Sequence, residues 1–311
     1  MFLFLAGATG FVGSNLLPEL KRLGIRGRCL LRDAKKASLC EGFETVTGSL
    51  DNIPSGSLSG VDTVVHLVGI MHETGGQTFD SVHVKGTQNL VNEALRAGIK
   101  LKNFFYQSSL GASLGSPSMY QRSKARAEEI VKDSGTPYTI FRPSLILGPG
   151  DGFTKQMSQM INASPVIAVP GSGEARFQPL MISDWIRCFL SAVEGGGQDR
   201  VYEIGGPEYL SFNDLVREYM KAMGVEERKK FIHFPMGLAK AGLSLLSVAK
   251  ISGIKNIPPV GREQLLLLSA DNITAIDSVK KYFGFEPESI KGNIREFIPE
   301  EYLTGPFQKT T

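Results

Sequence analysis

A tyrosine and a lysine at helical spacing are the residues of this sequence best suited to chemistry. Tyr120 and Lys124 lie four residues apart in a segment with a helical pattern, and residues four apart share one face of a helix. A lysine held there can lower the pKa of the phenol and bind a ribose, while the phenol donates or accepts the proton that accompanies hydride transfer. The preceding strand ends at Gln107-Ser108-Ser109, and we expect the Ser108 hydroxyl near the same substrate oxygen. The predicted catalytic set is therefore Tyr120, Lys124 and Ser108.

A glycine-rich turn near the N-terminus occupies the place where a phosphate-binding loop belongs. Gly7, Gly10 and Gly13 directly follow a short apolar run and precede an amphipathic segment. Glycines allow the backbone to turn tightly and to approach a pyrophosphate, whose charge meets the free N–H groups at the start of the helix. Because strand, turn and helix are all present within the first 25 residues, the turn predicts a dinucleotide site rather than a merely tight connection.

The residues after the second predicted strand bear on which dinucleotide binds. An acidic residue about 20 positions beyond the loop holds the ribose hydroxyls of NAD, whereas an arginine there accommodates the 2′-phosphate of NADP. Arg32 occupies that place, with Lys35 and Lys36 after it, so the sequence favours NADP(H) over NAD(H). Asp33 keeps the second possibility open, because a one-residue shift of the strand end would bring a carboxylate to the ribose.

Short apolar runs alternate with helical segments in the first half of the chain, which is typical of a parallel sheet covered on both faces. The predicted strands are 2–6, 27–31, 44–47, 63–68, 103–108, 138–142 and 201–204. The predicted helices between them include 13–23, 78–97 and 119–134. The pattern predicts a Rossmann-type α/β fold, that is, a doubly wound parallel sheet with a smaller, mostly helical C-terminal lobe.

The regular alternation stops after Arg142, where proline and glycine become frequent. We expect two domains with a discontinuous boundary. The predicted NAD(P)-binding domain is 1–150, to which the chain returns at about 178–205, and the predicted substrate lobe is 151–177 and 206–311.

Composition and charge exclude several classes of protein. A net charge of +3 over 311 residues is too small and too dispersed for a nucleic-acid partner. The three cysteines lie far apart in sequence, and the four histidines lack the spacing of a helical metal site, so we predict neither disulfides nor a metal. These features, with an apolar N-terminal run too short for a signal peptide, favour a cytoplasmic protein.

Two features allow more than one interpretation. The segment from Phe234 to Ile254 is apolar but contains lysines, so its length and charge argue against a transmembrane span. It fits either a lid on the substrate lobe or a helix that lies on a lipid surface. Arg142 and Arg176 would suit either a charged substrate or internal ion pairs.

A series of short motifs follows the order found in the extended and atypical short-chain dehydrogenase/reductases. The motifs are GATGFVG, VVHLVGI, FDSVHVKGT, QSSLGAS, YQRSK, FRPSLILGPGDGF, FQPLMISD and YEIGGPEYLSF. The chain most resembles the atypical subgroup related to the NAD(P)H-binding accessory subunit of respiratory complex I and its bacterial relatives. The resemblance covers about residues 1–220 and continues weakly to the C-terminus.

This resemblance implies roles for further residues along the dinucleotide. Arg32 would meet the adenosine phosphate and Lys124 would hold the nicotinamide ribose. The other implied contacts are Gly7, Thr9, Gly10, Phe11, Val12 and Gly13 at the pyrophosphate, Leu67, Val68 and Gly69 beside the adenine and its ribose, and Pro143, Ser144 and Leu145 at the nicotinamide.

Two positions depart from the family pattern. Gly48-Ser49 stands where active members carry an aspartate that contacts adenine, and His83 stands where they carry a structural asparagine. The catalytic tetrad of the family is therefore incomplete.

The incomplete tetrad leaves more than one function open. The first is an NADP(H)-dependent oxidoreductase or epimerase acting on a small molecule that the sequence does not identify. The second, implied by the subgroup, is a non-catalytic cofactor-binding subunit with a structural or assembly role in a redox complex, in contact with that complex or a membrane surface. A nucleotide-sugar binder follows from the commonest substrates of the superfamily, but no specific residue supports it.

Overall fold

A computed structural model describes residues 1–163, 165–234 and 261–303 of the chain. The segment from Phe234 to Ile254 therefore lies, after Phe234, outside the described residues. The chain divides into two units, the first comprising Met1–Pro143 with Asp184–Ile204 and the second comprising Ser144–Ser183 with Gly205–Thr311.

Both units contain strands and helices. The strands are β1 (Phe2–Ala6), β2 (Arg26–Leu31), β3 (Glu44–Thr47), β4 (Thr63–His66), β5 (Asn103–Gln107), β6 (Tyr138–Pro143), β7 (Ile146–Leu147), β8 (Val166–Pro170), β9 (Arg176–Phe177), β10 (Leu180–Met181), β11 (Arg200–Ile204), β12 (Leu210–Ser211) and β13 (Lys230–Phe234). The helices are α1 (Phe11–Arg22), α2 (Gly86–Arg96), α3 (Met119–Lys132), α4 (Gly152–Ala163), α5 (Ile182–Glu194), α6 (Phe212–Ala222), α7 (Arg262–Leu268), α8 (Ser278–Phe283) and α9 (Glu300–Leu303).

A seven-stranded parallel sheet with strand order β11-β6-β5-β4-β1-β2-β3 forms the centre of the first unit. The order reverses between β1 and β4, and such a switch point opens a crevice at the carboxyl ends of the strands. The predicted Rossmann-type α/β fold is thereby confirmed. β4 ends at His66, two residues earlier than predicted, because only the Leu67 N–H still follows the ladder, donating to the Ala6 carbonyl at 2.8 Å.

Aromatic and aliphatic side chains cover both faces of this sheet. Phe105, Phe141, Trp185 and Phe189 pack edge to face or stacked on one side, and a second cluster that includes Phe4, Val64, Leu90, Phe104 and Val131 fills the other. Because strands buried on both faces read as continuous apolar runs, the sequence signal for this sheet is strong.

The predicted helix 78–97 is not a single α-helix. Residues Asp80–Lys85 form a π-helical turn that runs directly into α2. A π-helical turn holds one more residue than an α-helical turn and is often found at functional sites. The rings of Phe79, which directly precedes this turn, and of His83 within it are both buried.

The second unit combines helices with short strands. β7 pairs with β10 and β8 with β13 in parallel, while β9 pairs with β12 antiparallel. The sequence does not predict these strands, because most of them are too short to show an alternating pattern. Ser211 and Asp214 form a reciprocal capping box at the start of α6.

Candidate functional site

The glycines after β1 differ in what the protein itself requires of them. A Cβ on Gly7 would lie 2.9 Å from the Leu67 carbonyl carbon, and Gly7 has a φ of +97°, so this position needs glycine twice over. A Cβ on Gly13 would lie 2.3 Å from the Gly7 oxygen. Gly10 is exposed, and a Cβ there would meet only the Gly7 oxygen, at 3.3 Å. Packing therefore explains Gly7 and Gly13, whereas among the described residues only the Gly7 oxygen approaches the Cβ position of Gly10.

The start of α1 presents free backbone donors at this loop. Gly10 is the N-cap and its residue type offers no capping side chain, so Phe11, Val12 and Gly13 begin the helix with N–H groups that no cap accepts. No acidic residue lies in the first turn, and the helix dipole adds partial positive charge there. With Thr9 half-buried beside it, the loop fits the pyrophosphate of a dinucleotide.

The end of β2 carries three exposed cations. Arg32, Lys35 and Lys36 are exposed, and Arg32 forms none of the side-chain hydrogen bonds or ion pairs found among the described residues. The Asp33 carboxylate instead caps its own turn by accepting the Lys35 N–H at 2.9 Å. This local bond engages one of the two carboxylate oxygens of Asp33.

The loop after β4 passes close to Lys124. Leu67 and Val68 form the wall that leaves no room for a Cβ on Gly7. A Cβ on Gly69 would lie 3.2 Å from Lys124 Nζ and 3.4 Å from His83 Nε2. The predicted adenine-ribose segment and the predicted catalytic lysine are thus brought together at the carboxyl edge of the sheet, where β1 and β4 meet.

Tyr120 lies in the first turn of α3, which Ser118 caps by accepting the Gln121 N–H. Its side chain is buried, and burial raises the pKa of the phenol, while the neighbouring Ser109 hydroxyl lowers that pKa by a smaller amount. Lys124 was expected to lower the pKa of Tyr120, but in the structure the burial of Tyr120 dominates. At neutral pH the phenol is therefore a proton donor.

Lys124 stands one turn further along α3 and is 3% exposed. Its ammonium donates to the Gln107 carbonyl at 2.8 Å and lies 5.1 Å from the centre of the Tyr106 ring. Burial lowers the pKa of Lys124 to about 7, against an opposing effect of Glu128. The spacing predicted from the sequence thus places both side chains in one buried cluster at the end of β5.

Ser108 differs from the prediction. Its hydroxyl donates to Glu128 Oε1 at 2.6 Å instead of facing Tyr120. Glu128 also accepts a bidentate pair of hydrogen bonds from Arg142, at 2.8 and 2.7 Å, and Arg142 further contacts Glu203. Ser108 and Arg142 therefore belong to an internal charged network, and the hydroxyl beside Tyr120 is that of Ser109. The two neighbouring hydroxyls thus lie beside different residues of α3.

The segment after β6 is shared between the two units. The Pro143 carbonyl accepts the Leu110 N–H at 2.9 Å within the first unit. The Ser144 hydroxyl lies 2.7 Å from both oxygens of Asn272, and Leu145 packs on the apolar core of the second unit. The predicted nicotinamide contacts of these three residues stay a prediction.

A family model for the NAD dependent epimerase/dehydratase family matches residues 3–205, which include the glycine loop, the loop after β4 and the tyrosine-lysine pair. The chain belongs to this family. The match supports the NAD-type dinucleotide chemistry inferred from the site, and it confirms the resemblance to the extended short-chain dehydrogenase/reductases.

Relatives of this family member include both enzymes and a respiratory subunit. The chain is 26% identical over 315 residues to NADH dehydrogenase [ubiquinone] 1 alpha subcomplex subunit 9, mitochondrial, of Arabidopsis thaliana, a match that covers 96% of the chain and 78% of the relative. It is 31% identical over 173 residues to ceramide reductase of Caulobacter vibrioides, which covers 53% of the chain and 52% of that relative. The resemblance to the complex I subgroup is thereby confirmed.

The same architecture is found in solved structures. The chain aligns with dTDP-glucose 4,6-dehydratase from Streptomyces venezuelae with a TM-score of 0.72 over 99% of both chains, at 18% sequence identity. At this identity the match speaks for the fold alone. Within the described ranges, no helix is long and apolar enough to cross a membrane.

Proposed function

We propose that this family member is an NADP(H)-dependent oxidoreductase or epimerase acting on a carbonyl or hydroxyl group of a small molecule. The observation that carries the proposal is the buried cluster in which Tyr120 lies beside the Ser109 hydroxyl, one helical turn from Lys124. Carbonyl reduction requires a proton donor, a hydrogen-bond donor to the carbonyl oxygen and a dinucleotide beside them. The protonated Tyr120 phenol, the Ser109 hydroxyl and the glycine loop at the same edge of the sheet would supply these parts.

The roles of the residues follow from their contacts. A bound NADPH would supply the hydride. Ser109 would donate a hydrogen bond to the substrate carbonyl oxygen, since its hydroxyl has no hydrogen-bond partner among the described residues and lies close enough to Tyr120 to lower the pKa of the phenol. Tyr120 would transfer its proton to that oxygen as the carbonyl carbon accepts the hydride, giving the alcohol and a tyrosinate. Lys124, when charged, would stabilise the tyrosinate and hold the ribose.

The choice of NADP(H) over NAD(H) rests on the end of β2. Arg32 is exposed and forms none of the ion pairs described for the chain, whereas one carboxylate oxygen of Asp33 already accepts the Lys35 N–H. A dianionic 2′-phosphate would gain a charge-assisted bond from Arg32, with Lys35 and Lys36 adding to the local potential.

A second candidate function is a non-catalytic cofactor-binding subunit or assembly factor of a redox complex. It is favoured by the similarity of nearly the whole chain to the Arabidopsis complex I subunit, and by His83 at the tetrad position. Contact with a redox complex or a membrane surface belongs to this alternative. The cytoplasmic location stays a prediction.

Two variants separate the candidates. Tyr120→Phe removes the proton but keeps the ring, so an enzyme should lose about 10²- to 10⁴-fold in kcat with nearly unchanged affinity for NADPH. Lys124→Ala should weaken NADPH binding under either function. Purified protein is screened with carbonyl substrates by following NADPH absorbance. Equal, very slow oxidation of NADPH by the wild type and Tyr120→Phe would reject the catalytic function and leave cofactor binding.

A further inference from the structure

His83 is a buried imidazole with both of its ring nitrogens engaged. The Ile70 N–H lies 3.0 Å from Nε2, and the Ser123 hydroxyl oxygen lies 2.8 Å from Nδ1. The ring is fully buried and close to Lys124, and both effects lower the pKa of His83, so the imidazole is neutral.

The direction of each hydrogen bond follows from the backbone. An amide N–H can only donate, so Nε2 accepts from Ile70 and the single proton of the neutral ring is on Nδ1. Nδ1–H then donates to Ser123, whose hydroxyl donates onward to the Tyr120 carbonyl at 2.7 Å. The chain of bonds runs from the loop after β4 through His83 to the first turn of α3.

The ring of His83 also touches the catalytic tyrosine. It meets the Tyr120 ring edge to face with 5.6 Å between centroids, and it stacks on Phe79 at 5.7 Å. Phe79 closes the triangle with an edge-to-face contact to Tyr120 at 5.9 Å. A further pair of contacts holds the π-helical turn that carries His83. The Thr87 hydroxyl donates to the His83 carbonyl and lies 3.0 Å from His66 Nε2.

The other end of the bridge lies beside the lysine. Gly69 precedes Ile70, and its Cα faces both Lys124 Nζ and His83 Nε2. Any shift of Ile70 would therefore move the backbone that borders Lys124 and the predicted adenine-ribose wall.

We propose that His83 is a positioning residue that holds the Gly69–Ile70 backbone and the Tyr120 turn in one fixed arrangement, with one ring nitrogen serving each. Nε2 holds the loop that would border the dinucleotide, and Nδ1 holds the Tyr120 turn through the Ser123 hydroxyl. The inference rests on the proposed function for its effect on turnover, but the bridge and its effect on cofactor binding do not depend on catalysis.

Two amide variants can separate the two arms. The amide of His83→Gln reaches about as far as Nε2, so it can accept the Ile70 N–H but cannot reach Ser123. The amide of His83→Asn reaches about as far as Nδ1, so it keeps the bond to Ser123 and loses the bond to Ile70. His83→Ala removes both arms, and Ser123→Ala removes the Tyr120 arm with the imidazole intact.

The measurements are NADPH affinity by calorimetry, kcat with a substrate found in the screen, and the thermal unfolding temperature. His83→Asn should weaken NADPH about three- to tenfold, the effect of one hydrogen bond, with a smaller change in kcat. His83→Gln and Ser123→Ala should lower kcat by a similar factor and keep NADPH affinity within about twofold. A purely structural histidine would instead lower the unfolding temperature in all variants with no such split, and that pattern would overturn the proposal.

The tautomer provides a test that needs neither turnover nor a variant that folds poorly. Nitrogen-15 spectra of histidine-labelled wild-type protein with NADPH bound should show one buried histidine as a neutral ring protonated on Nδ1, and its signal should disappear in His83→Gln. If the histidine whose signal disappears in His83→Gln carries its proton on Nε2, or is charged, the bridge is refuted. If no substrate is found, the proposed catalysis fails alone, while the tautomer and the NADPH affinities still decide the role of His83.

Discussion

Replacing Gly10 and Gly13 separately by alanine should distinguish a glycine required by a ligand from one required by packing. The Gly13 methyl would sit 2.3 Å from the Gly7 oxygen and 2.6 Å from the Ala8 oxygen, far inside the roughly 3.5 Å of a normal contact. Both neighbours are backbone atoms of the β1–α1 turn, so the helix must move. Overpacking of this kind costs about 1–3 kcal/mol.

Gly10→Ala is the matched variant, because its backbone is extended, with φ −81° and ψ 176°, which any residue adopts. Its methyl meets only the Gly7 oxygen, at 3.3 Å. We expect a stability loss of at most about 1 kcal/mol, the effect of alanine at an N-cap. NADPH affinity should fall at least about tenfold, or about 1.4 kcal/mol, because the methyl occupies the pyrophosphate path.

Thermal unfolding of the cofactor-free proteins and calorimetric titration with NADPH test both statements. Gly13→Ala should lower the unfolding temperature by several degrees, at about 2–4 °C per kcal/mol for a protein of this order of size. Gly10→Ala should change the unfolding temperature little and weaken NADPH binding at least about tenfold. Wild-type affinity in Gly10→Ala would remove the loop from the cofactor site, and an unchanged unfolding temperature in Gly13→Ala would refute the steric reasoning.

Three further predictions concern the other parts of the site. NADPH should bind at least about tenfold more tightly than NADH, and Arg32→Asp should reverse this preference in calorimetric titrations; equal affinities in the wild type would contradict it. Ser109→Ala should lower kcat about tenfold or more with little effect on stability, whereas Ser108→Ala should lower stability by about 1 kcal/mol and spare kcat; the reverse pattern would restore Ser108 as the donor. Burial lowers the pKa of Lys124 from 10.5 to about 7, so the folded protein binds fewer protons than the unfolded chain between these values, and its stability should rise with pH across that window. Denaturant titrations of Lys124→Met should show a smaller rise, and an identical pH dependence in both proteins would count against the burial argument.

The sequence predicts the parts of the site whose residues lie close together along the chain. The strand, glycine turn and helix that carry Gly7, Gly10 and Gly13 are contiguous, so spacing alone indicates the loop. The same holds for Tyr120 and Lys124, because helical periodicity determines which residues share a face. The sheet was equally predictable, since its buried strands form continuous apolar runs.

Features that depend on packing between distant segments were not predictable. Whether Ser108 or Ser109 faces Tyr120 depends on where β5 ends, and a shift of one residue exchanges the two. The role of Arg142 depends on Glu128, 14 residues away, and on the face of α3 that carries it. The sequence identified His83 only as a departure from the family pattern, because its partners Ile70 and Ser123 are 13 and 40 residues away.

The π-helical turn Asp80–Lys85 marks a place where the chain can change length by one residue. Such a turn is an α-helix that carries one surplus residue, so deletion of one residue between Asp80 and Val82 would leave a sequence able to continue as a regular helix. Phe79 and His83 would then lie three residues apart, and residues three apart share one face of an α-helix. The face that packs on Tyr120 would thus be kept while the turn lost its surplus residue. This part of the site can therefore tolerate a change of length that a strand of the sheet could not, because a shift of one residue in a strand exchanges its two faces.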